Sequence, residues 1–357
     1  MPITDSTEFS REEVGLALRN PGMPLEALRR QITPIGMHYV LVHFDIPDVD
    51  PATYELVIDG LVGKPAALTL EHLRERPAVS MPVMMECAGG GRGHLTPRPV
   101  SAPWHDEAVG CAEWTGTPLR GVLEEAGLLD DAVEVLFTAW DRGIDQGVEH
   151  DYQRSLPVDE AMREDVLLAY AMNGQPLPPA HGFPVRLLVP DWYGMASVKW
   201  LRSITAIAEP FEGVQQSLLY RYRGSEDDPG TPVTHKRPRA LMAPPGIPEF
   251  FSRNRQVRAG RTLVEGRAWS GPDAVSRVQF SADGGETWED ARLETPNGPH
   301  GWSAWSYEWD VEDPGDYELC VRATDAAGNA QPLDSTETWN RGGYGVNAVQ
   351  RVAVRVV

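Results

Sequence analysis

Apolar and polar positions along the first half of the chain alternate between strand and helix patterns. Tyr54, Leu56 and Ile58 fall on one face of a short run that closes at Gly60, which predicts a strand. Glu134-Val135-Leu136-Phe137-Thr138 and Val185-Arg186-Leu187-Leu188-Val189-Pro190 read as buried strands. Ser10-Arg11-Glu12-Glu13 has the layout of an N-cap with a glutamate at the third helical position, and Asn20-Pro21-Gly22 stops the helix it opens. Residues 69–73 and 119–127 predict two more short helices.

The pattern changes twice further on. Pro229, Pro232, Pro238, Pro244, Pro245 and Pro248 crowd the segment 221–248, so it is expected to be an extended connector. Beyond Arg261 strands dominate. Val278 and Phe280 lead into an Asp283-Gly284-Gly285 turn. Trp305, Tyr307, Trp309 and Val311 share one face, as do Tyr317, Leu319 and Val321, and then Val352, Val354 and Val356. Short strands at this spacing predict an immunoglobulin-like β-sandwich. The expectation is an α+β domain over residues 1–235 and an all-β sandwich over residues 236–357.

Composition narrows the partners. The chain has 357 residues and a formal charge of −20, which opposes non-specific binding to nucleic acid or an anionic membrane. No apolar run approaches the roughly 20 residues of a membrane span. No export signal is legible at Met1-Pro2-Ile3-Thr4-Asp5, so the reading is cytoplasmic, with a processed periplasmic form as the alternative. Three cysteines make no disulfide framework, and Cys111 and Cys320 have no assigned role beyond filling apolar space.

The chemistry concentrates in residues 85–92. There Cys87 directly precedes Ala88, three glycines and Arg92. Backbone N–H groups and a guanidinium beside a thiol suit a soft metal held next to an anion. A buried structural cysteine followed by a glycine turn explains the same residues, and on these residues alone is the stronger reading.

Taken in order, residues 85–92, 114–119, 167–178, 181–186, 192–201, 266–271, 281–288 and 347–352 resemble the sulfite oxidase family of molybdenum enzymes. The likeness runs from about residue 33 to the C-terminus. It implies a sulfite-oxidase-type fold with molybdenum held by one pyranopterin (molybdopterin) and by Cys87. His43, His181, Arg186, Ser197, Val198 (through its backbone) and Lys199 match cofactor-binding positions. Tyr152 matches an active-site tyrosine, Trp104 a wall of the substrate pocket, and Arg92 an anion-binding arginine. The implied activity is oxygen-atom transfer at sulfur, and the implied assembly is a homodimer paired through the sandwich. The chain contains no Cys-x-x-Cys-His haem motif, so electrons are expected to pass to a separate acceptor such as a cytochrome.

Two departures bear on the small sulfur-containing substrate. Leu41 stands where sulfite oxidases proper carry an arginine, and Gly342 stands at a second arginine position, with Arg341 one residue early. Each charge-assisted contact contributes roughly 1.5–3 kcal/mol, so losing two weakens the case for sulfite itself. Three readings therefore stand side by side: a sulfite or organosulfur dehydrogenase, a sulfoxide or N-oxide reductase using the same site, and an inactive binding scaffold.

Overall fold

The computed structural model describes residues 1–357, and strands outnumber helices in both halves. The first unit contains two five-stranded sheets. One runs, in spatial order, Ala66–Thr69, Glu55–Gly60, Leu201–Ile207, Glu134–Asp145 and Val148–Pro157, with only the Glu55–Gly60 and Leu201–Ile207 pair parallel. The other runs Gln175–Pro176, Leu167–Met172, Val109–Pro118 and Val79–Glu86, with Arg186–Leu188 also pairing to Leu167–Met172. The alternation at Leu56 and Ile58 points both side chains into a shared core with Phe137, Leu168 and Leu187.

The helices form where the sequence punctuates them. Ser10 caps Arg11–Arg19 in a reciprocal capping box with Glu13. Leu119–Ala126 ends at Gly127, whose φ of 70° lets its N–H reach the carbonyls of Leu123 and Glu124. No helix is long and apolar enough to cross a membrane.

The second unit is a sandwich of a four-stranded and a six-stranded sheet. Its core includes Val278, Phe280, Trp305, Trp309, Leu319, Val321, Val352 and Val354, and Phe280 stacks on Tyr307 with ring centres 4.5 Å apart. The proline-rich connector is pinned rather than free. It contributes a two-residue hairpin pair, Arg221–Tyr222 with Thr231–Pro232, and then the strand Arg239–Met242, which already belongs to the sandwich.

The two units are joined by an apolar seam and by charge. Met23, Ala27 and Leu28 pack with Met84, Val109, Cys111, Trp269 and Trp302, so Cys111 is indeed a small filler, with burial pushing its thiol up to about 12. Cys320 is likewise buried and free. Arg239, 1% exposed, donates to Glu86 at 2.7 Å and to Asp106 at 2.7 Å, while the Trp269 indole donates to the other Glu86 oxygen at 2.8 Å. Nearby, His300 donates to Asp165 at 2.9 Å and Asp191 at 3.1 Å. Two acids and a histidine have the makings of a cation site, but Arg163 already supplies the counter-charge at 2.7 and 2.9 Å from the same carboxylates.

Two outcomes are expected. Arg239→Met removes the only cationic partner of the buried Glu86 and one of the two of Asp106, so stability to urea should fall by about 3–5 kcal/mol. His300 is held at about 9, because hydrogen bonds to Asp165 and Asp191 outweigh the burial that pulls it down. A free histidine titrates near 6.5, so its stabilisation is complete below about pH 6.5 and is lost as pH rises through about 9. The stability difference between the native chain and His300→Gln, measured by urea melts, should therefore shrink steadily across that range.

Candidate active site

The strand Val79–Glu86 delivers Cys87 to the floor of a cleft between the two sheets of the first unit. Cys87 bonds through its N–H to the Ala108 carbonyl at 2.9 Å, and the chain then turns so that the Gly89 N–H donates to its sulfur at 3.4 Å. Each of the three glycines is needed in place. A Cβ at Gly89 would lie 2.8 Å from the Arg92 guanidinium, and one at Gly90 would lie 3.1 Å from that of Arg239. At Gly91, where φ is 82°, a Cβ would collide with the Val346 carbonyl. The Gly345 N–H closes the turn onto the Ala88 carbonyl at 2.8 Å. Burial pushes the Cys87 thiol up, against the opposing pull of the Gly89 N–H and the Arg92 charge.

Above the thiol lies a cavity of about 60 Å³. His43, Tyr152, His181, Arg186, Ser197 and Lys199 all line it, so six sequence-singled positions and Cys87 converge. Arg186 is buried over the Trp114 ring and donates to the carbonyls of His181 at 3.1 Å and Ser197 at 2.9 Å, with no carboxylate partner. Lys199 donates to the carbonyls of Leu41 at 2.8 Å and Ala180 at 2.9 Å, and burial drags it down to about 7. His181 and His43 are neutral, lowered to about 2 and about 4 chiefly by burial. The Tyr152 hydroxyl donates to the Met195 carbonyl at 2.8 Å, and its ring lies 4.8 Å from that of His43. The Ser197 hydroxyl accepts from the Val189 N–H at 3.0 Å.

Val198 stands apart from the others. It is buried behind the lining, its N–H bonded to the Ala196 carbonyl at 3.0 Å and its own carbonyl to the Leu187 N–H at 2.8 Å. Arg92 and Trp104 line a second cleft of about 390 Å³, which shares Leu41, His43, Cys87 and Tyr220 with the first. Arg341 does not reach either space; it pairs outward with Glu226 at 3.4 Å. Gly342 instead turns its carbonyl to accept from Arg92 Nε at 3.0 Å.

Sequence reasoning missed His38, Tyr39, Asp141 and Tyr220. His38 sits five residues before His43, and that spacing was the available signal; its ring stands edge-on to His181, centres 5.2 Å apart. Asp141, the one carboxylate on the first cavity, is pushed up to about 7 by burial. Tyr220 bonds to His43 Nε2 at 2.8 Å from far along the chain, where nothing local marks it.

The lining thus concentrates buried positive charge against a single acid that is half-neutral near pH 7. It also leaves His38 Nε2 without a partner. Uncompensated buried cations are costly unless an anion meets them. The residues fit an anionic group anchored by one thiolate.

The comparisons point the same way. The model of an oxidoreductase molybdopterin binding domain matches residues 43–215, and that of a Mo-co oxidoreductase dimerisation domain matches residues 248–357. Sulfite oxidase from Gallus gallus is 34% identical over 352 residues, covering 90% of this chain and 72% of that protein. Mitochondrial sulfite oxidase from Drosophila melanogaster is 33% identical over 359 residues, and the chain, 95% of it aligned, spans 62% of that relative's length. The structure resembles the sulfane dehydrogenase SoxCD from Paracoccus pantotrophus with a TM-score of 0.79 at 27% identity, covering 92% of this chain and 82% of that one.

Replacing Arg186 or Lys199 by Met should leave the fold intact while cutting retained anionic cofactor by roughly tenfold or more, since each removes a charge-assisted contact. Metal and phosphate content of the purified variants, beside their circular dichroism, reads this out.

Proposed function

Because this chain belongs to the sulfite oxidase family, we propose that it is a molybdenum-dependent oxidoreductase that adds an oxygen atom to sulfur and passes electrons to an external acceptor. The observation that carries this reading is the Cys87 thiol opening into a buried cavity whose cations, Arg186 and Lys199, outnumber its one carboxylate, Asp141. When bound, the molybdenum and its pyranopterin supply the two-electron couple and the exchangeable oxygen.

The protein's own groups do the rest. Cys87 would hold the metal through its sulfur, and because burial raises its pKa, its deprotonation would be coupled to metal binding. His43, His181, Arg186, Ser197 and Lys199 would hold the pterin and its phosphate, whose negative charge would favour the protonated form of Lys199. Val198 shapes this wall through its backbone turn. Tyr152 keeps its proton because burial pushes its pKa up, and turning the hydroxyl away from the Met195 carbonyl would make it a hydrogen-bond donor to the site. Arg92 and Trp104 orient the substrate from the adjoining cleft.

The cofactor part runs over residues 1–235. The sandwich, residues 236–357, pairs two copies of the chain, a role supported by Phe250 and Phe251, which are 76% and 87% exposed on its surface. Electrons leave to a separate one-electron carrier such as a cytochrome.

Expression in a host that makes the cofactor should give near-stoichiometric molybdenum and dye reduction driven by a sulfur substrate. Cys87→Ser should lose both together. Full metal content with reduction of neutral sulfoxides and no oxidation of any sulfur compound would reverse the assigned direction of flux.

A further inference from the structure

The second cleft differs from the first in charge and in size. Arg92 is the one arginine or lysine among its lining residues, and Asp145 the one carboxylate. Arg92 is 6% exposed and flanked by the Tyr344 ring at 5.2 Å. Its Nε donates to the Gly342 carbonyl at 3.0 Å, and its Nη1 donates to Ser101 at 3.0 Å and to the Ala102 carbonyl at 3.4 Å. Nη2 makes no hydrogen bond to the protein, and no carboxylate pairs with the group. Trp104, 4% exposed, offers a second donor in Nε1, which also lacks a partner.

Leu16, Leu41, Val42, Val100 and Leu219 form an apolar part of the remaining wall, beside polar groups such as Asn20 and Gln215, around a space of about 390 Å³. One buried guanidinium neutralises one negative charge, and a dianion would bring a second, unpaired charge into a cleft whose other charged side chain, Asp145, repels it. The volume and the walls accommodate a hydrocarbon group, which a bare inorganic oxyanion does not have.

We propose that the substrate class is an organic sulfinate, R–SO₂⁻, in preference to inorganic sulfite; this rests on the oxygen-transfer reading above. A sulfinate carries one negative charge for Arg92, a sulfur lone pair to accept oxygen, and an apolar group for the walls around Leu41. The reaction balances as R–SO₂⁻ plus water giving R–SO₃⁻, two protons and two electrons. One sulfur–oxygen bond forms, sulfur is oxidised, and the electrons pass singly to an external acceptor of the cytochrome or ferricyanide type.

The test compares benzenesulfinate, methanesulfinate and sulfite as substrates with ferricyanide, on protein of measured molybdenum content. Titration calorimetry with the products benzenesulfonate and sulfate on the same preparation gives a readout independent of turnover. Benzenesulfinate should exceed sulfite in kcat/KM by roughly tenfold or more, with methanesulfinate between them, and benzenesulfonate should bind more tightly than sulfate by a similar factor. Leu41→Arg should move both ratios toward the inorganic ion, and Arg92→Gln should abolish benzenesulfonate binding. The native-protein comparison stands even if a variant fails to fold. Sulfite turnover without benzenesulfinate turnover, or sulfate binding as tight as benzenesulfonate, overturns the inference and leaves the oxygen-transfer reading intact. Turnover of no sulfur compound by fully metallated protein overturns both.

Discussion

The carboxylate of Glu86 governs this molecule. It is the residue before the thiol, it lies in the interior, and both of its oxygens are claimed by the second unit, one by Arg239 and one by Trp269. A buried carboxylate is tolerable only when its lone pairs are met by donors of the right geometry. The end of the strand that presents Cys87 is therefore fixed by a sandwich that lines neither cavity through its own strands. Asp106 shares Arg239, held well below the usual carboxylate range as His94 and Arg239 overcome its burial. The Ala108 carbonyl that receives the Cys87 N–H lies two residues on, so one guanidinium steadies the thiol from both flanking segments.

The two cavities divide the electrostatic work. The inner one collects Arg186, Lys199, His38, His43 and His181, and satisfies its two charged groups only with carbonyl dipoles. Such a site is tense until an anion enters it, and part of the tension is relieved by letting Lys199 and the imidazoles sit neutral. The outer cleft holds a single guanidinium steadied by an aromatic face and by the carbonyl at Gly342. Selectivity for charge and selectivity for shape are thus located in different places, with Cys87 on the wall they share.

Much of this was legible in sequence for a physical reason. Strand alternation at Leu56 and Ile58, the capping box at Ser10, and the aromatic face from Trp305 to Val311 are local signals, and each sets a local structure. The site was legible only through resemblance, because a cysteine before glycines has a commoner structural explanation. What stayed hidden was non-local. Tyr220 reaches His43 across most of the first unit, and Arg239 comes from a proline-rich stretch whose composition predicts only extension. Val198 shows the converse: its neighbours Ser197 and Lys199 both face the cavity, while its own backbone groups are consumed by the fold.

The bond from the Gly345 N–H to the Ala88 carbonyl has a consequence for how the protein is made. The turn after Cys87, the proposed metal ligand, is completed by residues made roughly 250 positions later. A nascent chain that has emerged through residue 300 has its thiol but neither the Gly345 donor nor the Val346 carbonyl against which Gly91 is packed. The turn around Cys87 therefore takes its final form only once the second unit has been made, and not while the first is synthesised alone.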